Sequence, residues 1–353
     1  MKNWQDILKE SITSPAALNE HFNGDGTLDV PSLDKVSAAF PMRINPYYLQ
    51  LIRKAGDPLW KQAVPDLAEL RDPVCMEDPL DEENLSPVPN LVHKYPDRVL
   101  FLVSNQCAMY CRFCTRKRKV GTAKMRISQE SIEAGIEYIR RHPQVREVLL
   151  SGGDPLLLPD SQIDDLLHEL RSIPSVKVIR IGSRVPCTLP MRITPALVTI
   201  LKKYHPLYIN THFNHPAEIT PEASAACGLL ADGGIPLGCQ TVLLKGVNDT
   251  PEIMRKLLLK LLEIRVKPYY LFQTDLTRGT NHFRTSTATG IKIMRSLIGH
   301  ISGLAVPTFA LDGPGGKGKI PLTPDYILSR GDKLVFKNYR GEICTYPESG
   351  DGI

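Results

Sequence analysis

The sequence predicts an α/β fold assembled from parallel βα units, and three observations carry that expectation. From about residue 93 onward, short apolar runs alternate with helical patterns of 9 to 14 residues, the rhythm of strands joined by crossover helices. The apolar runs end in stretches rich in Gly, Ser, His and Asp, as expected where α/β sheets present functional groups at the C-terminal ends of their strands. No apolar run reaches the ~18 residues that a membrane span requires, so these segments read as elements of a globular protein.

Ahead of that rhythm, Trp4, Ile7, Leu8 and Ile12 recur at helical spacing, and Asn23-Gly-Asp-Gly26 is a turn cluster. A second helical pattern covers residues 45–53 and stops at Gly56-Asp-Pro58. Residues 72–92 hold Pro73, Pro79, Pro87 and Pro89 among many acids and read as an irregular connector. Residues 1–92 are therefore expected to form a helical extension and connector packed on the main unit. Candidate strands follow at Val99–Val103, Glu147–Leu150, Lys177–Ile181, Leu207–Asn210, Pro236–Leu243 and Lys267–Phe272. Helical patterns lie between them at Ser128–Arg141, Asp160–Arg171, Pro195–Lys203, Pro221–Ala231 and Pro251–Glu263. Right-handed crossovers curl such units into a barrel or a doubly wound layer, and spacing does not separate the two. A further apolar segment, Ala305–Leu311, runs into a Gly-rich stretch. The expected division is thus 1–92, 93–312 and 313–353.

A chain of 353 residues with 42% hydrophobic and 23% charged residues has the composition of a globular enzyme-sized protein. Its first ten residues, Met1 to Glu10, carry charges where a secretory signal needs an apolar core; a cytoplasmic location without membrane attachment is expected. A net charge of +5 is mild. The run Arg116-Lys-Arg-Lys119 is the one dense basic cluster; nucleic-acid binding is one reading of it, but so short a stretch beside a cysteine loop reads better as a solvated or anion-binding feature. Cys75, Cys187, Cys227, Cys239 and Cys344 are scattered singly and form no disulfide framework.

The most informative stretch is Cys107-Ala-Met-Tyr-Cys111-Arg-Phe-Cys114, directly after the first candidate strand. A [4Fe–4S] cluster normally takes four cysteines; three in one loop leave one iron open, which is what a catalytic metal site requires. The competing reading, half of a zinc site, lacks a second C-x-x-C pair or matching His. The second strand ends in Ser151-Gly152-Gly153-Asp154, the third in Gly182-Ser183-Arg184, and the fourth in Thr211-His212-Phe213-Asn214-His215. Paired glycines let backbone approach a ligand closely. His212 and His215 would point to opposite faces of an extended segment, which argues against zinc there. Further on, Asp312-Gly-Pro-Gly-Gly-Lys317-Gly-Lys319 lacks the frame of a P-loop. Flexible glycines around a lysine suit an amine that swings between two partners, as a pyridoxal phosphate (PLP) lysine must; an exposed Gly/Lys loop is the alternative.

The three-cysteine loop with Phe113 resembles the signature of the radical S-adenosylmethionine (SAM) superfamily. That resemblance implies a partial, six-stranded (β/α) barrel, a [4Fe–4S] cluster on Cys107, Cys111 and Cys114, and SAM bound at the open iron. It further implies that Ser151, Gly152, Gly153 and Asp154 meet the amino group of SAM and that His212 and Gln240 make polar contacts to it. From about His93 to Tyr346 the chain resembles more closely the PLP-dependent lysine 2,3-aminomutase family, through Ile181-Gly-Ser-Arg184, Lys203-Tyr-His-Pro206 and Asn210-Thr-His-Phe-Asn-His-Pro216. This resemblance implies that Lys319 forms the PLP Schiff base, that Tyr95 stacks on the pyridine ring, and that Arg98 with Lys94 binds the phosphate. It also implies that Arg116 takes the substrate carboxylate and that Asp275 and Asp312 grip the ε-ammonium of L-lysine, giving β-lysine by 1,2-amino migration.

An isomerase of this kind would draw electrons from a flavodoxin or ferredoxin. Relatives of two sorts stay open: the branch making β-lysine for elongation factor P, and a 2,3-aminomutase acting on another amino acid. A non-catalytic iron–sulfur or RNA-binding protein is the rival class. Zinc bound by a cysteine-bearing tail in some members is not expected, because Asn248-Asp249-Thr250 lacks the matching cysteine and only Cys344 follows Cys239. Homo-oligomerisation is left open by the same departure.

Overall fold

A computed structural model describes residues 3–22 and 28–349; the Asn23–Gly26 turn cluster lies outside the described residues. The extension supplies α1 (Trp4–Lys9), α2 (Pro15–His21), α3 (Val30–Ala39), α4 (Pro46–Leu51) and α5 (Pro58–Ala63). The next elements are β1 (Leu91–Tyr95), β2 (Arg98–Ser104), α6 (Gln129–Arg141), β3 (Glu147–Gly152), α7 (Asp160–Ser172), β4 (Val178–Gly182) and the short α8 (Val185–Thr188). They are followed by α9 (Pro195–Leu201), β5 (Leu207–Thr211), α10 (Pro221–Asp232), β6 (Leu237–Leu243), α11 (Pro251–Glu263), β7 (Lys267–Gln273) and α12 (Thr287–Leu297). The chain closes with β8 (Thr308–Gly313), β9 (Gly318–Pro321), β10 (Ile327–Ser329), β11 (Lys333–Lys337) and β12 (Ile343–Pro347).

Local chemistry accounts for the helix starts. Thr220 and Thr250 accept backbone N–H bonds at the heads of α10 and α11, and each is followed by Pro at the first turn. Ser128 and Ser131 form a reciprocal cap on α6. All six expected strands are present. Six βα units run from β2 to α12, and the apolar segment at 305–311 becomes β8, a seventh parallel strand. The strands follow chain order from β1 to β9 across one sheet, so there is no point of reversal as in a doubly wound layer. Antiparallel β1 and β9 flank the parallel strands; neither showed in the sequence, because each is short and lies in a stretch of charges or glycines. The sheet curls until its ends meet: the Lys319 N–H of β9 donates to the Tyr95 hydroxyl at the end of β1, 3.2 Å away. Strands β10–β12 form a separate antiparallel sheet. Among the described residues no helix is long and apolar enough to cross a membrane.

The extension is part of the core. Leu18, Ile44, Tyr48 and Leu59 pack in the same apolar cluster as Phe101, Val148, Ile179 and Ile209. It also holds the cysteine loop. Asn45 Nδ2 donates to the Ala108 carbonyl at 3.0 Å, Tyr110 N to Arg43 O at 3.0 Å, and Arg112 N to Gln62 O at 2.9 Å. Beneath the loop, the fully buried Glu69 carboxylate binds Arg112 through Nε at 2.9 Å and again through Nη2, and Lys117 Nζ lies 2.6 Å from it. Burial works to raise the Glu69 pKa, but these two cations outweigh it and hold the carboxyl below its ordinary value.

Removing one member of a buried ion network leaves the others unpaired, at a cost of about 3–5 kcal/mol. Glu69→Ala is therefore expected to lower the urea midpoint of the protein markedly and to loosen the cysteine loop. A variant with an unchanged midpoint would show that this clamp contributes little.

Candidate active site

Cys107, Cys111 and Cys114 stand on the loop that leaves the C-terminal end of β2, where the sequence placed them. Burial pushes the Cys107 thiol well above its ordinary range, with further repulsion from Cys114, Asp154 and Cys111. Burial likewise lifts Cys114 to about 11, and Cys111 adds to it. Three half-buried cysteines on one loop are a donor set suited to an iron cluster, whose cations favour the thiolates. No three His, Cys, Asp or Glu side chains among the described residues converge on a mononuclear metal position. Arg184 Nη1 donates to Cys111 Sγ at 2.7 Å, while its Nη2 is held by Gln62 Oε1 at 2.7 Å and Glu218 Oε1 at 2.8 Å.

The strand-end residues gather around this loop. Gly152 adopts φ +128°, and a Cβ there would lie 2.3 Å from the Ser104 carbonyl; at Gly153 one would lie 2.3 Å from the Gln106 carbonyl. Only glycine permits the approach of β3's end to the cysteine loop. Asp154 joins two strand ends. Its buried carboxylate accepts from Ser183 Oγ at 2.7 Å and from the backbone N–H groups of Arg184, Val185 and Leu156 at 2.8–3.1 Å. These bonds tie β3 to β4 next to the glycine pair. Burial dominates its titration, raising the carboxyl to about 6 despite those bonds. His212 packs against Phe113, ring centroids 5.3 Å apart, and its Nε2 pairs with Asn214 Oδ1 at 3.0 Å. Burial, then the Arg184 charge, depresses it to about 3, so it is a neutral imidazole at physiological pH.

Inside the curled sheet lies a cavity of about 750 Å³ lined by Lys94, Tyr95, Arg98, Gln240, Asp312 and Lys319, among others. Lys319 and Asp312 are register partners across β8 and β9. Asp312 bridges two cations, Lys319 Nζ at 3.2 Å and Lys94 Nζ at 3.6 Å. Arg98 lies over the Tyr95 ring at 4.1 Å and pairs with Asp97 at 2.7 Å. Asp275, just past β7, is pushed up to about 7 by burial and then by Asp312, with Lys319 and Lys94 opposing. Lys317 is exposed on the outer turn. The cavity unites an amine, an aromatic face and cations at β1–β2, a set that fits a phosphate-bearing aldehyde. Among these residues the Lys94 ammonium is engaged by Asp312 rather than left free for an anion.

Three cavity residues escaped sequence reasoning. Arg180 of β4 is paired with Glu147 and has its buried Nε without a partner, and Asn210 of β5 has a buried Nδ2 without one. Glu82, in the connector, takes Arg116 in a two-pronged ion pair, Nε to Oε2 at 2.9 Å and Nη2 to Oε1 at 2.6 Å. The expected solvated character of the Arg116–Lys119 run is thereby corrected. Lys117 is buried on Glu69, Arg118 pairs with Asp78 at 3.0 Å, and Lys119 pairs with Glu83 at 3.1 Å. Each cation of the run has an acid, so the run is a clamp between the cysteine loop and the upstream chain. The available signal was charge complementarity between this run and the acids at 77–83, but nothing local says that blocks some 35 residues apart will pair.

Residues 101–258 match the model of the radical SAM superfamily, and residues 294–353 match that of lysine-2,3-aminomutase. An L-lysine 2,3-aminomutase of Methanococcus maripaludis is 52% identical over 99% of this chain and 83% of its own length. One from Acetoanaerobium sticklandii is 55% identical over 87% of this chain and 75% of its own. A glutamate 2,3-aminomutase of Clostridioides difficile is 44% identical over 88% of this chain and 74% of its own. Streptococcus suis SuiB bound to S-adenosylmethionine superposes with a TM-score of 0.45 at 15% identity over 62% of this chain and 51% of that one, too loosely to carry an argument.

Proposed function

The chain belongs to the lysine 2,3-aminomutase family of radical SAM enzymes, and from that premise we propose that it converts L-lysine to β-lysine. The family shares the isomerase chemistry and its cofactors, a [4Fe–4S] cluster, SAM and PLP. Membership alone does not choose the substrate, since a glutamate enzyme stands among the relatives. The observation that supports lysine is a pair of acids: Asp312 lines the cavity and faces Lys319, and Asp275 lies within electrostatic reach of both. A distal ammonium gains charge-assisted hydrogen bonds there, each contributing roughly 1.5–3 kcal/mol. A distal carboxylate meets repulsion instead, which is specificity by exclusion.

The roles assigned to this chain's residues follow from their places. Cys107, Cys111 and Cys114 would hold the cluster. SAM would lie beside it, met by Ser151, Gly152, Gly153 and Asp154 at the end of β3, with His212 and Gln240 as further polar contacts. Lys319 is the covalent anchor for PLP. Tyr95 would stack on the pyridine ring, and Arg98 with Lys94 and Arg180 would supply positive charge for the phosphate. When bound, SAM on the reduced cluster supplies hydrogen-atom abstraction and PLP supplies spin delocalisation during the amine shift. The protein orients the β-carbon toward the cluster side and keeps water from the reacting atoms within the sheet-enclosed cavity. In this reading Arg116 takes the substrate carboxylate, and Asp275 with Asp312 takes its distal ammonium. A reductant is needed to begin each activation, and a flavodoxin or ferredoxin fits that need.

Anaerobic reconstitution with iron, sulfide, PLP, SAM and dithionite is expected to give β-lysine from L-lysine. Turnover of glutamate in preference to lysine would refute the substrate assignment. Lys319→Ala is expected to abolish the absorbance of the lysyl–PLP linkage, whereas Lys317→Ala leaves it; the reverse pattern would move the anchor.

The pH dependence follows from Asp275. Its carboxyl is raised to about 7, so it is largely neutral below that pH and pairs with an ammonium only above it. KM for lysine should therefore fall as pH rises from 6 to 8, by roughly tenfold for a single controlling carboxyl. Asp275→Asn should flatten that profile, and an unchanged slope would remove Asp275 from substrate binding.

A further inference from the structure

We propose that Glu82 is a positioning residue for the substrate carboxylate, acting by fixing the guanidinium of Arg116. The proposal rests on the lysine reading above and deepens it. Glu82 lies in the connector between the extension and β1, has a side chain only 6% exposed, and lines the cavity. Its two oxygens take Nε and Nη2 of Arg116 at 2.9 and 2.6 Å. A guanidinium carries five N–H donors in a rigid plane, so engaging one edge sets the direction of the other. The free edge, Nη1, turns toward the end of β3, 3.5 Å from Ser151 Oγ. That distance is long for a hydrogen bond, and a carboxylate oxygen entering between the two donors would satisfy both.

Charge and placement point the same way. Arg116 without Glu82 would be a buried, unpaired cation beside a cavity that already holds Lys94, Lys319 and Arg98. With Glu82 the pair is neutral, and the substrate carboxylate is met by an oriented donor edge rather than by an uncompensated charge. The same connector touches the loop before Lys319, where Gly315 N donates to Pro79 O at 2.9 Å. One segment therefore fixes both the carboxylate clamp and the start of the PLP-lysine strand, and so the distance between the two ends of the substrate's head group.

The test compares L-lysine with 1,5-diaminopentane, which has the same chain and amines but no carboxylate, each titrated into PLP-loaded protein by the absorbance change it produces. Glu82→Gln is expected to weaken lysine roughly tenfold, the loss of one charge-assisted contact, and to leave 1,5-diaminopentane within about twofold of wild type. In turnover KM should rise about as much, with kcat within roughly threefold. Glu82→Asp keeps the charge on a shorter stem and should recover part of the lysine affinity. Equal weakening of both amines would mean that Glu82 merely supports the fold, and no change in either would also overturn the proposal. Wild-type protein that fails to respond to lysine would refute the parent assignment instead.

Discussion

The chemistry of this protein depends on the closing of one sheet upon itself. Strands laid down in chain order twist in one sense, and after seven parallel strands the last hairpin comes back to the first. The contact between the Lys319 amide and the Tyr95 hydroxyl joins residues 224 positions apart. Because of it, a lysine from the end of the chain and an aromatic ring with Arg98 from the start of the barrel face one cavity. An open sheet of the same strands would leave them at opposite edges.

A second constraint is electrostatic. The loop that carries the cysteines also carries Arg112, Arg116, Lys117 and Arg118, and Arg112, Lys117 and Arg116 lie out of water. Buried cations must be paired, and the acids come from upstream: Glu69 for Arg112 and Lys117, Glu82 for Arg116, Asp78 for Arg118. The extension and connector are thus counter-charges and scaffold for the cysteine loop rather than an appendage. Arg184 continues the same logic on the barrel side, binding Glu218 and Gln62 while reaching Cys111. Asp154 joins two strand ends through Ser183 and the backbone of Arg184 and Val185.

On the proposed assignment, substrate choice rests on a distribution of acids that is matched at one end and unmatched at the other. Arg116 is neutralised by Glu82, whereas Asp275 is crowded by Asp312 and opposed by two lysines. The first arrangement gives direction without excess charge. The second leaves a carboxyl poised near neutrality that a distal ammonium would draw into its ionised form.

What the amino-acid sequence determined by itself was whatever is local or periodic. The six principal strands, the helices between them and the three-cysteine loop follow from side-chain alternation, capping chemistry and residue spacing, and the Gly-flanked Lys319 announces a mobile amine. Tertiary structure decided what depends on partners distant along the chain. It turned the run at Arg116–Lys119 from a solvated face into a clamp, and assigned Asp154 to strand–strand locking. It drew Lys94 to Asp312, and brought Glu82, Arg180 and Asn210 to the cavity. The physical reason is that a charge or a hydrogen-bond donor has no meaning until its counterpart is placed, and only the closed sheet places them.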